Sequence, residues 1–236
     1  MWCVDEGDIP GSLGSDREIA VFIALQKPDL WPIDKHFSDY SEDDIFDLIE
    51  FLFDHISKPI DGTYHSWNNC GWHYTVFDKA SGQAELREKI NPILERYVDG
   101  FTLTLVGEVE QLADRGLEPL VEADLPTPDR EDVAARVDMA NRKFRRHRAS
   151  LDDRRTAVRE LADVLEYLRP KARAVLSKKD ESDLFELANN FGIRHHNDKQ
   201  KRQYDQAIWL SWMFYHYLAT IHACVRLIER EDGKAQ

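Results

Sequence analysis

Cysteine is scarce in this chain. Cys3, Cys70 and Cys224 are three in 236 residues, odd in number and far apart. No Cys-x-x-Cys pair occurs, which excludes a disulfide framework and a zinc site of familiar cysteine spacing. Long apolar runs are also missing. No stretch reaches the roughly 18 uncharged apolar residues that a membrane span needs. Met1-Trp2-Cys3-Val4-Asp5-Glu6 lacks a basic segment followed by an apolar one, so no secretory signal is expected. These absences predict a cytoplasmic protein with no membrane partner. A Walker loop, Gly-x-Gly-x-x-Gly and His-Glu-x-x-His are absent, and so is Gly-x-Ser-x-Gly. No cofactor and no metal ion is expected.

Positive charge is short in one half only. Residues 1–130 carry 10 Lys/Arg and 27 Asp/Glu, a net of −17. Residues 131–236 carry 21 and 17, a net of +4. The first half would repel a phosphate backbone, whereas the second tolerates one. Hydrophobic residues make up 42% of the chain, enough for one large core or two small ones.

The patterning predicts a mainly α protein with a small β-hairpin. Residues 1–18 read as loosely ordered. An N-terminal α+β domain is expected over 19–125, a C-terminal helical bundle over 126–230 and a tail over 231–236. Residues 19–26 are apolar and fit helix or strand. Ser41-Glu42-Asp43-Asp44 reads as a capping box ahead of a helix whose apolar positions run from Ile45 to Ile56. A further helix is expected over 83–98, stopped by Asp99-Gly100. Phe101-Thr102-Leu103-Thr104-Leu105-Val106 alternates with period two, and Gly107 turns it into a second strand over 108–112. Pro119, Pro126 and Pro128 mark a boundary near residue 125. Helices are expected at roughly 129–148, 151–168, 171–177, 181–194 and 204–230, with Pro170 closing the second.

Three stretches carry candidate chemistry. Between residues 63 and 78, Tyr64, His65, Trp67, Trp72, His73, Tyr74 and Phe77 crowd together with Asn68, Asn69 and Gly71. Trp67, Trp72 and His73 could line a pocket that stacks a ring or base, or the aromatics could pin an irregular loop. Arg142, Arg145, Arg146 and Arg148 form a basic run suited to backbone phosphates, or to solvent alone. Arg142 through His147 also fits Arg-x4-His. Finally, Arg194-His195-His196-Asn197 falls at the expected end of a helix. A histidine there can exchange a proton near neutral pH, and an arginine can hold a phosphate and its developing charge. The other reading of this run is helix capping with the rings packed on the next helix. After it comes an aromatic helix holding Tyr204, Trp209, Trp212, Phe214, Tyr215 and Tyr217. Its apolar face is expected at Ile208, Trp212, Tyr215, Leu218, Ala219 and His222, facing a bundle core or a dimer partner.

Asn190-Phe191-Gly192-Ile193-Arg194-His195-His196-Asn197, followed by Ile208-Trp209-Leu210-Ser211-Trp212-Met213-Phe214-Tyr215, resembles the C-terminal part of bacterial AbiJ-type abortive-infection proteins. That part is similar to a HEPN domain. Ile90-Asn91-Pro92-Ile93-Leu94, Gly100-Phe101-Thr102-Leu103 and Gly107-Glu108-Val109 resemble the end of an AbiJ-type N-terminal domain. The resemblance spans roughly residues 40–228. It implies a helical bundle, an anti-phage role, a homodimer formed through the C-terminal helices, and metal-independent cleavage of RNA. In that motif an arginine precedes a polar residue and, four to six residues on, a histidine. Arg194 and His195 match the first two positions, whereas Lys199, Gln200 and Lys201 stand where the last is expected. The resemblance therefore implies catalysis by Arg194 with His195 or His196, or a HEPN-like module that binds nucleic acid or a protein without cleaving.

Overall fold

The computed structural model describes residues 13–14, 16–67, 70–98, 100–176, 179 and 205–233, together with the backbone of β1 (Trp2–Cys3) and β2 (Gly7–Asp8). The fold is mainly α, with small two-stranded antiparallel ribbons. Contacts divide the chain into two compact units, residues 1–111 and 112–236.

The first unit is built around α3 (Glu42–His55). The helix starts where it does because Ser41 and Asp44 form a reciprocal capping box. The Asp44 amide donates to Ser41 Oγ at 3.2 Å, and the Ser41 amide donates to the Asp44 carboxylate at 2.9 Å. Apolar residues lie on two sides of α3. Phe46, Ile49 and Phe53 join Leu94, Phe101, Leu103 and Val109 in one cluster. Leu48 and Phe51 join Val21 of α1 (Arg17–Leu25) and Leu30 in another. The apolar run at residues 19–26 thus resolves as helix. A short helix, α2 (Ile33–His36), follows α1.

After α3 come β3 (Lys58–His65) and β4 (Gly71–Asp78), then α4 (Lys79–Leu94). The helix expected at 83–98 begins earlier because Asp78 caps it, accepting from the Ser81 amide at 3.2 Å. The expected hairpin forms as β5 (Phe101–Leu103) and β6 (Val109–Gln111). Side chains satisfy its edges. Asn91 accepts from the Leu103 amide at 2.8 Å, and its own amide donates to the Leu103 carbonyl at 3.2 Å. Glu50 accepts from the Val109 amide at 2.8 Å. Two helices thereby bind a strand pair too short to stand alone.

In the second unit, α5 (Glu118–Glu122) precedes a wide π-helical turn, Arg130–Ala135, that leads into α6 (Arg136–Arg145). Next come α7 (Leu151–Val175) and α8 (Gln206–Asp232). Leu120, Val121 and Leu125 pack on this core, so residues 112–125 belong with it rather than with the unit before. The wide turn and the break after Arg145 replace the continuous helix expected at 129–148. Pro170 does not close α7, contrary to expectation. Its ring removes one backbone hydrogen bond, a cost of about 3 kcal/mol in a helix interior. Leu168 and Ala172 on either side remain buried in the core, and that burial holds the helix together to Val175.

α8 buries Leu210, Met213, Phe214, Tyr217, Leu218, Ile221, Cys224 and Val225. The expected face was partly wrong. Leu218 and His222 turn inward, but Ile208, Trp212 and Ala219 lie on the exposed side. Phe214 stacks on Phe144 of α6, with ring centroids 4.0 Å apart and planes 9° from parallel.

Two outcomes follow from this packing. Phe214→Ala opens a cavity where the side chain is fully buried, and urea denaturation is expected to show a loss of about 3–5 kcal/mol. Lys27 and Ser41 hydrogen bonds hold the Asp44 carboxyl at about 2, below its ordinary 3.8. A carboxylate held low stabilises the fold above its unfolded-state value and loses that contribution as the pH falls through the folded one. Asp44→Asn keeps an acceptor but not the charge. Its deficit, about 1 kcal/mol after screening around the partly exposed Lys27, is expected in full above pH 4 and to vanish as the pH approaches 2.

Candidate functional site

Among the described residues of the aromatic segment, those up to His65 and from Gly71 onward belong to a β-ribbon rather than to an irregular loop. Thr63, Tyr64, Trp72, Tyr74, Thr75, Val76 and Phe77 are the β-branched and aromatic types that favour a pleated strand. Pairing runs from Lys58 opposite Asp78 to His65 opposite Gly71, with irregularities around Pro59–Gly62. Gly62 is required there: a Cβ would run into the His73 carbonyl oxygen and the Tyr74 Cα. At the base of the ribbon, Gly82 of α4 lies so close that a Cβ would sit 2.7 Å from the Ser57 Cα. Lys58 also pairs with Glu85 of α4 at 3.1 Å.

Alternation separates two sets of side chains. On one face Trp72 stacks on Tyr74, with centroids 5.9 Å apart, and meets Tyr64 edge-on at 5.7 Å. Trp72 and His73, adjacent on one strand, therefore point to opposite faces. Trp67 itself is 70% exposed in the connecting turn. On the other face His65 and His73 are diagonal neighbours across the ribbon, with ring centroids 5.7 Å apart. Cys70, at the end of the turn, brings its Sγ to 3.0 Å from His73 Nε2. One donor atom each from His65, Cys70 and His73 fall within 4.8 Å of one another, and all three residues are half-buried. His73 was a sequence candidate; His65 and Cys70 were not. The signal for them is the spacing His65-x4-Cys70-x2-His73, which a search for paired cysteines passes over.

In the second unit, Arg142 and Arg145 occupy the last turn of α6, while Arg146 and Arg148 lie in the turn toward α7. The run ends a helix rather than occupying its middle, and positive charge is favoured at that end by the helix dipole. Arg142, Arg146 and Arg148 are exposed and Arg145 is half-buried. The neighbouring arginines serve packing instead. Arg154 lies 5.3 Å from the Phe144 ring centroid, and Arg155 donates to Gln206 of α8 at 3.2 Å. Arg194, His195 and His196 lie outside the described residues, between the end of α7 and the start of α8.

The outer side of α8 carries exposed apolar surface. Ile208 is 65% exposed, and Trp212 stacks on His216 with planes 14° apart. Burial lowers the His216 pKa below the ordinary histidine value. A separate cleft of about 350 Å³ lies between the C-terminal parts of α7 and α8, with Pro126, Thr127, Leu168, Lys171 and Val225 in its walls.

No family model matches the chain, nor does any curated protein or solved structure. The bulge at Gly62 yields a direct test of the ribbon. Gly62→Ala is expected to loosen it while the second unit keeps its cooperative unfolding. Amide exchange should quicken over residues 58–78, with protection of α7 and α8 unchanged.

Proposed function

We propose that the protein is an AbiJ-type abortive-infection protein of bacteria whose HEPN-like C-terminal unit cleaves RNA without a metal ion. The Arg194-His195-His196-Asn197 run carries this reading, standing in sequence between two long helices and followed by the aromatic α8. Three further features support it. The second unit has a helical core made by α6, α7 and α8. Exposed arginines at the end of α6 offer charge to a phosphate backbone without reading sequence. Ile208, Trp209 and Trp212 leave apolar surface on α8 suited to a second copy of the chain.

The chemistry is internal transesterification. A histidine of the pair takes the proton of a ribose 2′-hydroxyl, whose oxygen attacks the adjacent phosphorus. The bond to the 5′-oxygen of the next nucleotide breaks, and that oxygen takes a proton from an acid. Arg194 holds the phosphate as charge builds on its oxygens. Two copies would bring two such runs to one cleft. A second reading rests on Lys199, Gln200 and Lys201, which occupy the positions of the expected final histidine. On that reading the unit binds RNA or a protein partner and does not cleave.

Purified protein incubated with tRNA and total RNA in excess chelator separates the two. Cleavage by wild type is expected, and Arg194→Ala or His195→Ala should slow it at least about 100-fold, the usual worth of a positioned acid–base group. Equal cleavage by wild type and variants contradicts the proposal. An inactive wild type that binds RNA, with binding that persists in Arg194→Ala, supports the second reading.

A further inference from the structure

Outside the Arg194 region, ligating side chains of the first unit gather on the histidine face of the β3–β4 ribbon. Two imidazoles and a thiol converge there from three backbone positions that the ribbon holds in register. His65 closes β3, Cys70 ends the turn, and His73 is the third residue of β4. The register sets His65 and His73 diagonally, the arrangement in which long side chains on one face of a two-stranded sheet reach each other. The Trp67 carbonyl accepts from the Cys70 amide at 3.0 Å, which turns the chain so that Sγ meets His73 Nε2.

We infer that His65, Cys70 and His73 bind a zinc-class transition-metal ion through three protein ligands, with a fourth position open to water or a substrate atom. The donor chemistry selects the ion. Imidazole nitrogen and thiolate sulfur suit Zn²⁺ and its neighbours, whereas Mg²⁺ and Ca²⁺ require oxygen. The dimensions agree as well. Zn–S and Zn–N bonds of ordinary length, tetrahedrally arranged, place donors about 3.3 to 3.6 Å apart. The three atoms already lie within 4.8 Å of one another, and the Cys70–His73 pair at 3.0 Å. On binding, the Cys70 thiol loses its proton to solvent and the sulfur donates an electron pair to the ion. Three protein ligands and an open position are the pattern of zinc sites that act on a bound molecule, while sites that only brace a fold are closed by four.

This site belongs to the first unit, and the RNase proposal rests on the second. The two therefore fail separately, since metal uptake is read without RNA and RNA cleavage is read in chelator. The test uses the full chain in a Cys3→Ser background, stripped with chelator and then dialysed. Cys224 is buried in the second unit, so a thiolate signal reports Cys70. Titration with Zn²⁺ against a chromophoric competitor is expected to show one equivalent bound per chain. Co²⁺ in its place should give a thiolate-to-cobalt charge-transfer band. His65→Ala, Cys70→Ser and His73→Ala should each weaken Zn²⁺ at least about 100-fold, beyond what is typical for losing a group that only supports a ligand. Cys70→His should keep Zn²⁺ but lose the charge-transfer band, while Trp67→Ala should change neither. Absence of stoichiometric uptake, or uptake equal in Cys70→Ser and the parent, overturns the inference. Should Cys70→Ser fail to fold, the cobalt band of the parent decides: its presence upholds the site and its absence refutes it.

Discussion

Burial of the inner side of α8 is the constraint on which the second unit depends. Phe214 lies flat on Phe144, and Leu210, Met213, Tyr217 and Ile221 fill the space beside α7. A 27-residue helix this rich in aromatics exposes more apolar surface than two neighbouring helices can cover. Its inner side is buried, and Ile208, Trp209 and Trp212 remain exposed. The same excess that builds the core leaves apolar surface exposed, the surface that the proposed dimer would use.

The first unit solves a different problem. Its described strands pair in twos, and β5 and β6 are three residues each, so backbone pairing alone cannot hold that hairpin. Helix side chains finish the work: Asn91 and Arg87 bond to Leu103, and Glu50 bonds to Val109. The β3–β4 ribbon is tied at its base through Gly82 and Lys58, and it carries Trp72, Tyr74 and Tyr64 on one face and donor atoms on the other. Such a ribbon contributes little core. What it does contribute is a register that brings His65, Cys70 and His73 together.

Where the sequence carried one unambiguous period or a local cap, it was legible. Ser41 with Asp44 starts α3 as the residue types demand, and Phe101 and Leu103 point inward as alternation predicts. The β3–β4 ribbon was not legible because it is exposed on both faces. With aromatic, β-branched and polar residues mixed along β4, and Pro59 and Gly62 interrupting β3, no alternation of apolar and polar residues marks it as a strand. The inner face of α8 was ambiguous for the opposite reason, since apolar residues surround the helix and its patterning favours no single side. Pro170 misled because a local penalty was outweighed by burial of Leu168 and Ala172, which local patterning does not weigh. The cluster of His65, Cys70 and His73 depends on pairing across a turn, so only its spacing was visible in sequence. Arg194, His195 and His196 lie outside the described residues, and their role is argued from sequence alone.

The chemistry at the Arg194 run is the central claim, and the ends of the cut RNA test it most directly. Attack by the 2′-hydroxyl without a metal ion leaves a 2′,3′-cyclic phosphate on one fragment and a 5′-hydroxyl on the other. Mass spectrometry of fragments produced by the wild-type protein in chelator is predicted to find those ends. Fragments ending in 3′-hydroxyl and 5′-phosphate, the products of water attack, would contradict the account.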